Sequence, residues 1–287
     1  MRVANKSIYE MVKYNLSQIT DEMSRANKVI SSGKRITELS DDPVGLVQSL
    51  HIRSALSGLE QTGRNISLGE SWLSAAESSL TEVQTILSNA KALCVQMASG
   101  TTGPGQRASA ALTVQNMLEE VISLANTEVA GRYIFSGSRT EEAPFEQDGT
   151  YRGNNTSFSI KIGRDATIEI GQDGEPIFSD IFTALNDLKS ALETNDVDRI
   201  GSALGDLDEQ FQAVTRRISE VGSRRARMEI KGRILEDLKL GNRERLSVLE
   251  DADIAEAIVE LKSIELAYQA ALTSSSKIMT LSLMDYL

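Results

Sequence analysis

The most constraining feature of this chain is a heptad pattern that reads the same way from both ends. Near the front, Ile8, Val12, Leu16, Ile19, Met23, Ala26 and Ile30 step by three and four residues. Near the end, Ile254, Ile258, Leu261, Tyr268, Leu272 and Met279 do the same, with Glu265 and Ser275 as polar interruptions. Each run predicts a helix of roughly 45 Å. Inside them lie two longer runs. Ile52, Leu59, Ile66, Leu73, Leu80, Leu87 and Cys94 recur every seven residues, with Gly69, Ala76, Val83, Ala90 and Met97 three positions later. Leu207, Val214, Val221, Met228, Leu235 and Leu249 keep the same interval, with Asn242 as the polar member. These predict helices of roughly 70 Å. A narrow apolar seam must be buried against another helix, and the partner of matching length belongs to the same chain. The fold expected is therefore mainly α: an elongated antiparallel helical bundle or coiled-coil rod.

Composition agrees with thin helical cross-sections. Only 5% of the 287 residues are aromatic, and Trp72 is the one tryptophan. A formal net charge of −11 argues against a nucleic-acid partner, because phosphate binding needs a basic surface. No apolar run approaches the length needed to span a bilayer, so membrane insertion is not expected. Residues 1–20 carry Asn5, Lys6, Glu10, Lys13 and Asn15 at close intervals, which leaves no secretory h-region. The expectation is a cytoplasmic protein, or one exported by a route that needs no such signal. The single cysteine, Cys94, excludes an internal disulfide, and its place on the seam predicts a small buried hydrophobe.

Four prolines punctuate the map. Pro43 is expected to separate the first helix from the second, and Pro104 to end the second in a tight turn. A third helix is expected over 108–129. Between Pro144 and Pro176 the period changes from 3.6 to 2, as in Ser157-Phe158-Ser159-Ile160-Lys161-Ile162 and Ala166-Thr167-Ile168-Glu169-Ile170. Gln172-Asp173-Gly174 reads as a hairpin turn, and three or four short strands would make a small β-rich insert at the end distal to the termini. Helix is expected again from Asp180, with Asp196 capping the next helix and Asp251 or Asp253 the last. The segments expected are 1–43, an N-terminal assembly helix; 44–137, the N-terminal half of the rod; 138–178, the β-rich insert; 179–250, the C-terminal half; and 251–287, a C-terminal assembly helix.

Catalysis finds no support in the residues. His51 is the only histidine and no cysteine pair exists to join it in a metal site. The acidic clusters Asp41-Asp42 and Glu250-Asp251-Ala252-Asp253 lack the spacing of a calcium loop, and helix capping is the role expected of both. No phosphate loop, dinucleotide fingerprint or nucleophile elbow is present. The expectation is no enzyme activity, no cofactor and no metal. The terminal helices, by contrast, are rich in helix-neutral residues, from Asn5, Ser7 and Asn15 in front to Thr273, Ser274, Ser275 and Ser276 behind. Helices of this quality are marginal in water, which predicts ends that order on assembly.

Two motifs carry a family resemblance. Ser31-Ser32-Gly33-Lys34-Arg35-Ile36 with Ser40-Asp41-Asp42-Pro43-Val44-Gly45 resembles the N-terminal signature of the bacterial flagellin family. Asn242-Arg243-Glu244-Arg245-Leu246, leading into Glu250-Asp251-Ala252-Asp253-Ile254-Ala255-Glu256-Ala257, resembles its C-terminal signature. Thr37 departs from the asparagine frequent at that position. A third segment, Gly131-Arg132-Tyr133-Ile134-Phe135-Ser136-Gly137-Ser138, with Pro144-Phe145, Tyr151-Arg152-Gly153 and the ending Leu281-Ser282-Leu283-Met284-Asp285-Tyr286-Leu287, is similar to the members of that family that sit between hook and filament rather than to the filament subunit itself.

The resemblance implies a secreted structural subunit, exported by the flagellar type III apparatus and forming a ring-like layer of identical copies. It implies hook-associated protein 1 and flagellin as neighbours and a flagellar export chaperone. A minor flagellin or, outside the family, a cytoplasmic coiled-coil scaffold are the rival readings. The assembly interface expected comprises Ile8, Val12, Leu16, Ile19, Met23, Ile30, Lys34, Arg35, Asp41, Ile254, Ile258, Leu261, Ile264, Tyr268, Leu272, Met279 and Leu283. For Lys34, Arg35 and Asp41 two roles stay open: direct contact between subunits, or a local one in which Gly33 breaks the first helix, Lys34 and Arg35 reach its last carbonyls and Pro43 starts the next.

Overall fold

In a computed structural model the described residues, 2–163 and 165–284, form six helices and two small antiparallel sheets. The order is α1 (Arg2–Ser32), α2 (Pro43–Met97), α3 (Pro104–Ala125), β1 (Glu128–Val129), β2 (Arg132–Tyr133), β3 (Ser159–Lys161), β4 (Thr167–Glu169), α4 (Glu175–Glu193), α5 (Val197–Glu250) and α6 (Ile254–Met284). Residues 59–237 make one compact unit; 1–58 with 238–287 make the other.

The mirrored lengths are real: α1 and α6 have 31 residues each, α2 has 55 and α5 has 54. In the central unit the two long helices run antiparallel. Gln84 Nε2 donates to Thr215 Oγ1 at 2.7 Å, Lys91 pairs with Asp208, and Arg225 pairs with Glu77 at 2.7 Å. The seam read from the sequence lies between these contacts. Leu73, Leu80, Leu87, Ala76, Val83 and Ala90 on α2 are wholly buried, as are Leu207, Val214, Val221 and Met228 on α5. Cys94 belongs to this core; its thiol donates to Ile200 O at 2.9 Å, and burial pushes it up to about 11, so it stays protonated and inert.

The prolines open helices more often than they close them. Asp42 caps α2, its carboxylate accepting the Gly45 N–H at 2.8 Å and its carbonyl the Leu46 N–H at 2.9 Å, with Pro43 at the first helical position. Pro104 does not end α2, as the sequence suggested, but begins α3 behind Gly103. The end of α2 is closed instead by Arg107, a buried cation whose guanidinium donates to Met97 O and Ser99 O, both at 3.0 Å, and to Asn195 Oδ1 at 2.6 Å. α3 starts earlier than 108 for that reason. It also stops earlier than 129, because Asn126 turns its amide to Phe145, accepting from its N–H at 3.0 Å and donating to its carbonyl at 2.9 Å. Pro176 likewise sits in the first turn of α4, which begins at Glu175 rather than Asp180.

The period-2 segment forms β3 and β4, paired as Ser159 with Glu169, Ile160 with Ile168 and Lys161 with Thr167. Gln172-Asp173-Gly174 is not a hairpin turn. Gln172 O accepts the Gly137 N–H at 2.9 Å, Asp173 bridges to Ser136, and Gly174 precedes α4. A second hairpin, β1 with β2, turns through Ala130 at φ 53° and Gly131 at φ 73°. The two sheets do not merge. Aromatic packing fastens this region to α4: Phe135 lies 4.9 Å from Phe178, and Phe145 lies 5.2 Å from Phe182, both edge-on. Asp196 caps α5 through the Arg199 N–H at 3.1 Å, as its position predicted.

These burial differences predict unequal penalties on truncation. Leu80→Ala, at a fully buried seam position, should cost about 2–5 kcal/mol, whereas Leu266→Ala on α6 should stay within about 0.5 kcal/mol. Thermal unfolding of the purified chain measures both.

Candidate assembly site

The unit made of 1–58 with 238–287 holds every residue expected at the assembly interface. Its centre is the place where four helix ends meet. α1 ends at Gly33, whose φ of 68° suits a residue without a side chain, and its N–H still donates to Val29 O at 2.8 Å. The chain then runs antiparallel to the α5–α6 connection for one bridge, Lys34 beside Asp251. Arg35 N–H donates to Glu250 O at 2.6 Å, and Ala252 N–H donates to Gly33 O at 3.0 Å.

Glu250 sits at the centre with only 4% of its surface exposed. Lys34 Nζ donates to its Oε2 at 2.8 Å. Arg53 grips the carboxylate with two atoms, Nε on Oε1 at 2.9 Å and a terminal nitrogen on Oε2 at 2.5 Å. Hydrogen bonding from Arg53, followed by that from Lys34 and Ser49, outweighs the burial that opposes ionisation and holds the carboxyl down at about 2. Neither Lys34 nor Arg35 reaches the last carbonyls of α1. Lys34 serves Glu250, and Arg35 donates to Leu249 O at 3.0 Å, in the last turn of α5, where a cation suits the helix dipole.

The acidic clusters divide their work. Asp42 and Asp253 are caps, the latter accepting from the Ala255 N–H at 2.9 Å and the Glu256 N–H at 3.2 Å. Asp41 closes the connection between α1 and α2, its Oδ2 accepting from the N–H groups of Thr37 and Glu38 and from the Thr37 hydroxyl, which lowers its carboxyl. Glu250 caps nothing; the capping expected of its cluster is done by Asp253. Gly45 owes its identity to crowding: a Cβ there would come 2.4 Å from Asp42 Oδ2 and 2.7 Å from Ile36 Cδ1. His51 is exposed on α2. Among the described residues no group of histidine, cysteine and carboxylate side chains could hold a metal ion, and no helix is long and apolar enough to cross a membrane.

α1 and α6 lie against each other, but leave most of their apolar side chains only half-covered. On α1, Val12, Leu16, Ile19, Met23 and Ile30 are half-buried and Ala26 is buried. On α6 the covered line is Ala257, Leu261, Ile264, Tyr268, Ala271 and Ser275, each buried or half-buried. Ser275 is thus on the line rather than an interruption of it, its hydroxyl satisfied by Ala271 O at 2.6 Å. Ile254, Ile258 and Leu272 lie beside that line and are exposed. Ile8, Met279 and Leu283 fall outside the described residues where their side chains are concerned. Further round α6, Val259 is 70% exposed and Leu266 66%. Among the described residues of this unit the buried hydrophobic side chains are Ala26, Ile36 and Ala257. A helix that is apolar on more than one face has more surface to cover than one partner supplies.

Sequence reasoning missed Glu250 and Arg53 as a pair. The available signal was position: they fall near the start of one long helix and at the end of the other, places that an antiparallel hairpin sets opposite.

The chain is similar to known proteins along nearly its whole length. The family model described as the bacterial flagellin N-terminal helical region matches residues 3–140. Flagellar hook-associated protein 3 of Salmonella typhimurium is 29% identical, over 98% of this chain and 96% of that protein. Flagellin of Bacillus subtilis is 28% identical over 79% of this chain and 77% of its own. A crystal structure of FlgL from Bacillus cereus superposes with a TM-score of 0.63 at 26% identity, covering 69% of this chain and 99% of that one.

Glu250 makes the site sensitive to acid. Its carboxyl is depressed from an ordinary value of 4.5, so its contribution is complete above about pH 4.5 and disappears as the pH falls towards 2. That contribution is on the order of 2–3 kcal/mol. Circular dichroism between pH 5 and 2 should show an acid transition that Glu250→Gln makes shallower, by the share that Glu250 contributes.

Proposed function

We propose that this chain, which belongs to the bacterial flagellin family, is the structural subunit that joins the flagellar hook to the filament. One observation carries the mechanism: among its described residues the unit bearing both terminal helices buries almost no large apolar side chain, while α6 leaves Ile258, Val259, Leu266 and Leu272 exposed. Neighbouring copies in a ring-like layer cover that surface, and the apolar area removed from water offsets the entropy of ordering the ends. A subunit with weak termini suits export in an unfolded state through the flagellar type III apparatus, held by an export chaperone until it passes. In place, it stacks on hook-associated protein 1 and offers flagellin a flagellin-like face. The chemistry required is burial and pairing; no residue needs to act as a catalyst.

A second reading, a minor flagellin, is favoured by the similarity to Bacillus subtilis flagellin. Electron microscopy of a deletion strain separates the two. Bare hooks with flagellin released into the medium are expected of the junction subunit; shortened filaments would mean a filament subunit.

Two further outcomes follow from the thin cover. Limited proteolysis of the isolated chain should digest roughly 1–33 and 253–287 while the central unit survives; uniform resistance would count against ordering on assembly. Leu261→Asp or Leu272→Asp should abolish filament attachment yet shift the melting of the central unit by no more than about 2 °C, as scanning calorimetry would register.

A further inference from the structure

The α1 side of the α1–α6 seam repeats closely and defines its register weakly. On α1, Leu16, Met23 and Ile30 occupy one heptad position and Val12, Ile19 and Ala26 the other. On α1 a slip of one heptad exchanges aliphatic for aliphatic, at a displacement of about 10.5 Å, while on α6 the same step exchanges Leu261 for Tyr268 and Tyr268 for Ser275. The covalent chain does not forbid it. The α1–α2 connection, residues 33–42, could extend over roughly 30 Å, three times the slip. Contacts outside the seam add to the choice of alignment.

We propose that Glu250 is the positioning residue that sets this register, and that assembly depends on it; the inference rests on the assembly reading above. Glu250 is tied to α6 by the short connection 251–253, and it holds the end of α1 through Lys34 Nζ at 2.8 Å and through its own carbonyl on Arg35 N–H at 2.6 Å. Arg53 orients the carboxylate from α2 with two hydrogen bonds, so Lys34 has one place to bind. A heptad slip carries Lys34 away from it and leaves a 4%-exposed charge with one partner fewer. Buried ion pairs add little net stability over an apolar pair of similar volume, but a mismatched one is penalised heavily. The group therefore selects an alignment more than it strengthens one. Register sets which residues of α1 lie beside each exposed residue of α6, and a neighbouring copy reads that combined surface.

The full chain, expressed in a strain lacking its own copy, tests this through three variants. Lys34→Met, which leaves Glu250 one partner short, and the double variant Arg53→Met/Glu250→Met should both lower the fraction of hooks bearing filaments about tenfold or more, with unchanged export; the double variant, which leaves no buried carboxylate, should melt within about 2 °C of wild type. Lys34→Arg, which keeps the cation, should restore attachment. Wild-type attachment by the double variant would overturn the inference, as would a fall in the double variant's melting that tracks its loss of attachment or a failure of Lys34→Arg to rescue. Leu261→Asp is the control for the underlying reading: if it attaches filaments normally, assembly through these helices fails. If it does not attach while Lys34→Met does, only the register role fails.

Discussion

A stripe of aliphatic side chains spaced every three and four residues has to be covered, and most of this molecule follows from how completely that happens. In the central unit the stripe on α2 meets its counterpart on α5, and Leu73, Leu80, Leu87, Leu207 and Met228 are wholly buried. Cover is added by α3 and α4, and by an aromatic group centred on Phe145 and Phe178. That unit is finished. In the other, the same kind of stripe meets only one partner, and the apolar surface of α6 exceeds what α1 can shield. One rule therefore yields both a self-contained fold and an unfinished one within a single chain.

The polar groups do different work in the two units. In the centre, the pairs Lys91 with Asp208 and Arg225 with Glu77 flank a seam that large side chains already hold. Where the four helix ends meet there is little apolar material, and a single carboxylate with two cations takes over. Glu250 gathers the Arg35 N–H and the Lys34 cation of the α1–α2 connection and the Arg53 cation of α2 into one point. Such a group is expensive to bury, so its partners must be in place. This explains why residues 31–36 and 250–253, far apart in sequence, both carry family resemblance: each supplies half of one structure.

The heptads, the lengths of the long helices, the caps at Asp42, Asp196 and Asp253, the break at Gly33 and the buried state of Cys94 were all legible, because each is a local preference that the fold did not override. Three boundaries were not. Proline reads from sequence as a stop, yet Pro104 and Pro176 both lie in first turns, where a missing N–H costs nothing. The hairpin assigned to residues 172–174 failed because Gln172 and Asp173 pair with residues 136 and 137 instead. On α6 the large residues Ile254, Ile258 and Leu272 outweighed the small Ala257 and Ala271 by eye, although the small ones lie on the line facing α1.

By itself the sequence determined that the protein is helical, mirrored and built with weak ends, because periodicity and helix quality are properties of neighbouring residues. Tertiary structure decided which residue joins the halves. An acid at 250 and a base at 53 look like ordinary solvated charges until the chain folds back, since their meaning depends on a contact across 197 residues. Proximity of that kind is set by topology, and no local preference encodes it.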